Sequence, residues 1–251
     1  MPRPARANGA YRVIAAVVRP FLRLTTRRDW RGTEHLHRPG GFIVAANHVT
    51  ELDPLATAHA LYDNGIAPRA LAKAGLFRVP VLGALLRATG QVPVDRGTSR
   101  AAEALDDALR ALDQGEVVLV FPEGTLTRDP DLWPMVGKTG VARLALASRA
   151  PVVPVAQWGA QELLPRYGRR LRPFPRKRVT VLVGEPVALD DLYDRPRGAA
   201  VLREATERVL DAITRLLEEI RGEEAPSPRF DLHEHPEYTA RRTTYPPLAG
   251  R

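Results

Sequence analysis

Five consecutive apolar residues, Val117 to Phe121, run between Gly115 and the turn Pro122-Glu123-Gly124-Thr125. A strand with one wetted face alternates apolar and polar side chains, so an unbroken run calls for a sheet covered on both faces. That requirement points to helices flanking a largely parallel sheet. The remaining pattern agrees. Phe42 to Ala46, Arg69 to Lys73, Gln91 to Val94, 152–158 and 179–184 read as short strands, and helices are expected from Asp53 to about Tyr62 and over 99–113, 138–148 and 199–221. In the last of these, Leu202, Val209, Ile213, Leu216, Leu217 and Ile220 recur at helical spacing. Strands alternating with helices predict a single α/β domain over 31–221, with a mixed, largely parallel sheet flanked by helices. A length of 251 residues suits one such domain better than two small ones.

The two ends read differently. Residues 10–24 form a basic amphipathic pattern, with Ile14, Val17, Val18, Phe21 and Leu22 on one side and Arg12, Arg19 and Arg23 on the other. Pro20 is expected to kink or end this helix. Two readings stand level: a helix lying in a membrane interface, or one resting on the domain core. Residues 1–30 are taken as a membrane-association segment, and 27–40 as a basic linker ending in Pro39-Gly40-Gly41. From Gly222 to Arg251 the chain is polar and rich in Pro and Arg, which predicts a poorly ordered tail.

No apolar run approaches the roughly 18 residues of a membrane-crossing helix, and Val13 to Val18 is too short for a signal-peptide core. The expectation is therefore a peripheral or monotopic protein on the cytoplasmic face of the cell membrane. The net charge is +8, and seven of the thirteen residues 166–178 are Arg or Lys. Such a surface attracts anionic lipid or nucleic acid. Tyr167 and Phe174 are interleaved, but no nucleic-acid motif accompanies them, so the anionic membrane is the expected partner and nucleic acid is not. The chain has no Cys, which removes thiolate metal sites and a cysteine nucleophile.

Three segments carry chemistry-bearing residues. Asn47-His48-Val49-Thr50-Glu51-Leu52-Asp53 follows an apolar strand and leads into Pro54, a natural helix start. A neutral imidazole can take a hydroxyl proton, and a carboxylate on its other nitrogen holds the tautomer. The plain alternative is an N-cap Asp beside an unrelated surface His. Phe121-Pro122-Glu123-Gly124-Thr125 offers a carboxylate and a hydroxyl at a strand end, or simply a turn with a helix cap. Val94-Asp95-Arg96-Gly97 offers a guanidinium suited to phosphate, or a surface ion pair. Gly137-Lys138-Thr139 lacks the earlier Gly of a phosphate-binding loop, because position 132 is Leu. His233-Glu234-His235 has no further ligands to make a metal site, and none is expected.

Taken in order, the segments resemble the motifs of the glycerophospholipid acyltransferases, the 1-acylglycerol-3-phosphate acyltransferases and their relatives. That signature is Asn-His-x4-Asp, then an apolar segment ending in Asp-Arg, then Phe-Pro-Glu-Gly-Thr, then a Val-Pro-rich segment matched here by Pro151 to Val155. Lys73 with Leu76-Phe77 and Lys138-Thr139-Gly140 resemble further family segments. The resemblance covers roughly 40–160. It implies transfer of a fatty acyl group from acyl-CoA or acyl-carrier protein, as co-substrate and without a cofactor, to a lysophospholipid acceptor, by default lysophosphatidic acid. It implies His48 as general base, Asp53 as its support, and Lys73, Arg96, Glu123, Gly124 and Thr125 at the glycerol phosphate. No acyl-enzyme is required, in keeping with only three serines, Ser99, Ser148 and Ser227, none in a nucleophile elbow. The family has Arg directly after Glu-Gly-Thr. Here that position is Leu126, and Arg128 is the expected substitute. The rival readings are a non-catalytic membrane-binding protein on the same scaffold, and an acyltransferase acting on glycerol 3-phosphate or another lysolipid.

Overall fold

The computed structural model describes residues 7–95 and 100–246. Strands β1 (Thr26–Arg31), β2 (Phe42–Ala46), β3 (Arg69–Lys73), β4 (Val92–Val94), β5 (Val117–Val120), β6 (Val152–Trp158) and β7 (Lys177–Val183) form one sheet in the order β1-β7-β6-β2-β5-β3-β4. Every neighbouring pair is parallel except β6 with β7.

Alternation along the two central strands explains their unbroken apolar sequence. Ile43 and Ala45 of β2, with Val118 and Val120 of β5, face one core; Phe42, Val44, Ala46, Val117, Leu119 and Phe121 face another. The first core is closed by helices α4 (Arg100–Asp113), α5 (Gly140–Ser148) and α7 (Ala199–Arg221), whose Ala108, Leu144 and Ile213 are buried. The second is closed by α2 (Asp53–Asp63) through Ala60 and Leu61. A short helix α6 (Ala160–Leu163) follows β6.

Helix α1 (Gly9–Thr25) starts at Asn8, whose side chain accepts from the Tyr11 amide. It runs through Pro20 without ending there. The missing Pro20 N–H leaves the carbonyl of Ala16 without its donor, and both residues are exposed, so water can serve instead. Arg19 and Arg23 of the helix turn inward and, with Arg28 of β1, converge on Asp63, while Arg12 stays exposed. The outer side carries exposed Val13, Val17, Phe21 and Leu24. Next to it, a 3₁₀ turn (Ala74–Arg78) and helix α3 (Pro80–Ala88) expose Leu76, Val79, Val81, Leu82 and Leu85. The Asn8 side chain donates to the Ala88 carbonyl and joins the two helices.

Two expectations are corrected. The basic stretch after α1 is not all linker: residues 26–31 pair with β7 as an edge strand, and only 32–41 connect. The region after Gly222 lies against the domain as far as Pro246. Phe230, Tyr238 and Tyr245 bury themselves with Met135, and Arg229 reaches Glu207 and Asp211 of α7. Isolated aromatics among Pro and Arg have no period that would announce burial.

Candidate active site

The five neighbouring parallel strands β6, β2, β5, β3 and β4 end at one edge of the sheet. Groups that bind or react collect outside such carboxyl ends. The loop after β2 is pinned there by Asn47, whose amide exchanges hydrogen bonds with the Gln157 backbone at 3.0 and 2.8 Å. Asp53 Oδ2 then gathers the loop around itself, accepting from the amides of Val49 and Thr50 and lying 3.0 Å from His48 Nδ1. Leu52 holds the helix-cap position, so the plain alternative of an N-cap Asp53 does not apply, and the carboxylate reaches backward to the loop.

The second motif meets the first. The His48 amide donates to Glu123 Oε1 at 2.8 Å, and the Met135 amide donates to Oε2 at 3.2 Å. The His48 carbonyl accepts from the Thr127 amide at 2.7 Å, and its ring stacks on Phe121 with centroids 4.2 Å apart. Gly124 completes the turn at φ +75°, a conformation that suits glycine. The Thr125 side chain is half-buried beside it.

Two carboxyl groups are thus withdrawn from water. Burial pushes Glu123 up to about 8, against the pull of the His48 and Met135 amides. Burial also pushes Asp53 up, while His48 and the two loop amides pull it back. Asp53 Oδ1 is buried without a partner. With Nδ1 committed to Asp53, a neutral His48 presents Nε2 as its free base nitrogen.

Other expected residues fall less tightly. Lys73 is exposed at the end of β3, paired in register with Val94 at the end of β4, so both approach the same edge. Arg96 lies outside the described residues. Leu126 is buried, and Arg128 turns toward the C-terminal segment, donating to the Ala240 carbonyl and the Tyr245 hydroxyl. His233 sits near Lys138, and the His235 ring stacks on Phe230.

Sequence reasoning missed the residues that brace the loop. Thr50 Oγ1 donates to the Leu164 carbonyl, and Arg166, counted with the surface cations, is instead buried and bonded to the carbonyls of Thr127 and Asp129. One cation among seven carries no mark of burial.

A family model described as Acyltransferase matches residues 27–158. The chain is 27% identical over 209 residues to a 1-acyl-sn-glycerol-3-phosphate acyltransferase of Bacillus subtilis, covering 82% of this chain and 98% of that one. It is 30% identical over 163 residues to the enzyme of the same name from Limnanthes douglasii, covering 64% and 54%. An uncharacterized protein of Mycobacterium tuberculosis is 33% identical over 165 residues, and the chain spans only 44% of its length. The crystal structure of the 1-acyl-sn-glycerophosphate (LPA) acyltransferase PlsC from Thermotoga maritima superimposes with a TM-score of 0.63 at 25% identity, covering 86% of this chain and 81% of that one.

Proposed function

The chain belongs to the acyltransferase family whose model spans residues 27–158, and from that premise we propose that it is an O-acyltransferase moving a fatty acyl group from a thioester donor to the hydroxyl of a lysophospholipid. The carrying observation is the hydrogen-bonded unit of His48 with Asp53, clamped through the His48 amide to Glu123. In this reading the acceptor hydroxyl gives its proton to His48 Nε2 as its oxygen attacks the thioester carbonyl. The Asp53 carboxylate stabilises the imidazolium. Collapse of the tetrahedral intermediate forms the ester and releases the thiolate, which takes the proton back from His48. Acyl-CoA and acyl-carrier protein both satisfy this chemistry.

Lysophosphatidic acid is the proposed acceptor, supported by the names of the bacterial and plant relatives. Lys73, at the end of β3 on the sheet edge that also carries Glu123, Gly124 and Thr125, is proposed to meet its glycerol phosphate, with Arg96 added from the family resemblance alone. The enzyme would work at an anionic membrane surface, docked on its cytoplasmic side through the apolar face of α1 and α3. No described helix is long and apolar enough to cross a membrane. The support for docking is exposure: Val17 at 71% and Val81 at 76% belong to neighbouring helices joined through Asn8 and Ala88, with Arg19 of the first turned to Asp63.

The test is a screen of lysophospholipids and glycerol 3-phosphate against acyl-CoA and acyl-carrier protein, following thiol release, with the His48→Ala protein as blank. Thiol release with lysophosphatidic acid above that blank is expected. Equal release by both proteins with every pair would defeat the proposal.

A further inference from the structure

Arg128 and Arg166, 5% and 2% exposed, are the only two buried arginines among the described residues. Their polar contacts are all to uncharged oxygens. Arg128 Nη1 donates to the Ala240 carbonyl at 2.9 Å and to Tyr245 Oη at 2.5 Å; Arg166 Nη1 donates to the carbonyls of Thr127 and Asp129, both at 2.8 Å. Aromatic faces supply the rest of the surroundings. The Arg128 guanidinium lies 4.8 Å from the Tyr167 ring, and that of Arg166 lies 4.5 Å from the Tyr245 ring. Arg128 Nε, Arg166 Nε and Tyr167 Oη are buried without a hydrogen-bond partner.

Buried charges in proteins are normally paired or bound to a ligand. Burial lowers the pKa of Arg166, with Tyr245, Tyr167 and the Asp129 carboxylate pulling it back up and Arg128 adding to the lowering. The cluster also adjoins the reactive loop. Thr127, whose carbonyl holds Arg166, donates its amide to the His48 carbonyl, and the Tyr167 amide faces Glu51 Oε2 at 3.3 Å. Tyr245 comes from the C-terminal segment, which adds no strand to the sheet and reaches the arginines from outside the domain core.

We propose that Arg128 and Arg166 form a binding site for a phosphate monoester, and that Tyr245, carried by residues 239–246, covers this site until the phosphate displaces it. A phosphate monoester brings about two negative charges and three acceptor oxygens. Two guanidinium forks are the side chains best shaped to meet them. The phenol that now sits between them brings no charge, so the dianion gains more in that position than the tyrosine does. The proposal rests on the acyltransferase reading for its ligand: the phosphate is the 3′-phosphate of CoA, or that of the acceptor, in which case this site replaces the one proposed at Lys73 and Arg96.

Calorimetric titration of the full chain with glycerol 3-phosphate, CoA and dephospho-CoA tests it, with Arg166→Gln and Tyr245→Ala beside the unaltered protein. Arg166→Gln is expected to weaken the phosphate ligand at least about tenfold. Tyr245→Ala is expected to tighten it about threefold or more, because the cover no longer competes. A response confined to glycerol 3-phosphate assigns the site to the acceptor; one shown by CoA but not dephospho-CoA assigns it to the donor. Affinities unmoved in both variants, or no binding by any of the three ligands, would overturn the site. Circular dichroism checks each fold, and if Arg166→Gln unfolds, Tyr245→Ala decides alone, since that ring packs in the C-terminal cluster with Met135, Phe230 and Tyr238 and not in the cores that close the sheet. No acyl transfer is measured, so this inference and the catalytic reading fail separately.

Discussion

His48 is held at both ends, its amide on Glu123 and its Nδ1 on Asp53, and Phe121 lies against one face of the ring. Its removal leaves Asp53 the amides of Val49 and Thr50 and leaves the backbone contact to Glu123, so the loop keeps its anchors. His48→Ala is therefore expected to lower kcat about 10²- to 10⁴-fold with a melting temperature close to that of the unaltered protein; steady-state thiol release and a thermal melt check both halves. Glu123 makes the pH prediction. Its carboxyl stands at about 8 in the fold against an ordinary 4.5, so the native state binds the extra proton. The stability tied to that proton is present below 4.5 and is lost as pH rises through about 8. Melting temperatures between pH 6 and 9 should fall with pH, and fall less steeply in Glu123→Gln, which cannot ionise. That variant should also melt lower at pH 6, because its NH₂ meets one of the two amides from which Glu123 accepts. Equal slopes would show that Glu123 does not titrate in this range.

At the scale of elements, β2 connects core and chemistry. All five of its residues are buried, and Asn47 follows directly at its end. Ile43 is fully buried in the core beneath α4 and α5. Ile43→Ala is expected to cost about 2–5 kcal/mol, read by urea denaturation, with the larger loss if the cavity cannot collapse. The short turn after β5 depends on Gly124 for its positive φ, and it delivers Glu123 to the His48 amide. The two motifs thus meet because β2 and β5 are adjacent parallel strands that end at the same level.

The whole molecule turns one face outward that is neither core nor catalytic edge. Arg19 and Arg23 of α1 are drawn inward to Asp63, leaving Val13, Val17, Phe21 and Leu24 exposed next to the apolar outer side of α3. The chain's +8 charge favours approach to anionic lipid, and the apolar face would then insert. Val17→Asp with Val81→Asp should reduce cosedimentation with vesicles containing phosphatidylglycerol about tenfold or more, with thermal stability unchanged, because neither side chain contributes to a core. Undiminished cosedimentation would move the docking surface elsewhere.

The alternation of apolar strands with amphipathic helices determined the α/β class and placed β2 to β7 and α1, α2, α4, α5 and α7 within about two residues, but not β1, α3 or α6, because only burial on both faces of a sheet or along a full helix face writes itself into consecutive side chains. The order of the Asn47–Asp53 and Phe121–Thr125 segments determined which residues to look for at the reactive edge. Tertiary structure alone decided that His48, Asp53 and Glu123 share hydrogen bonds, since nothing local brings residue 123 to residue 48 except adjacency of β2 and β5. It also decided which way α1 faces, where helical period is the same for a helix turned inward or outward and the Asp63 contacts select one. Arg166 and Tyr245 were illegible in sequence for the same reason: a lone cation or aromatic outside any periodic element becomes buried only through partners distant in the chain.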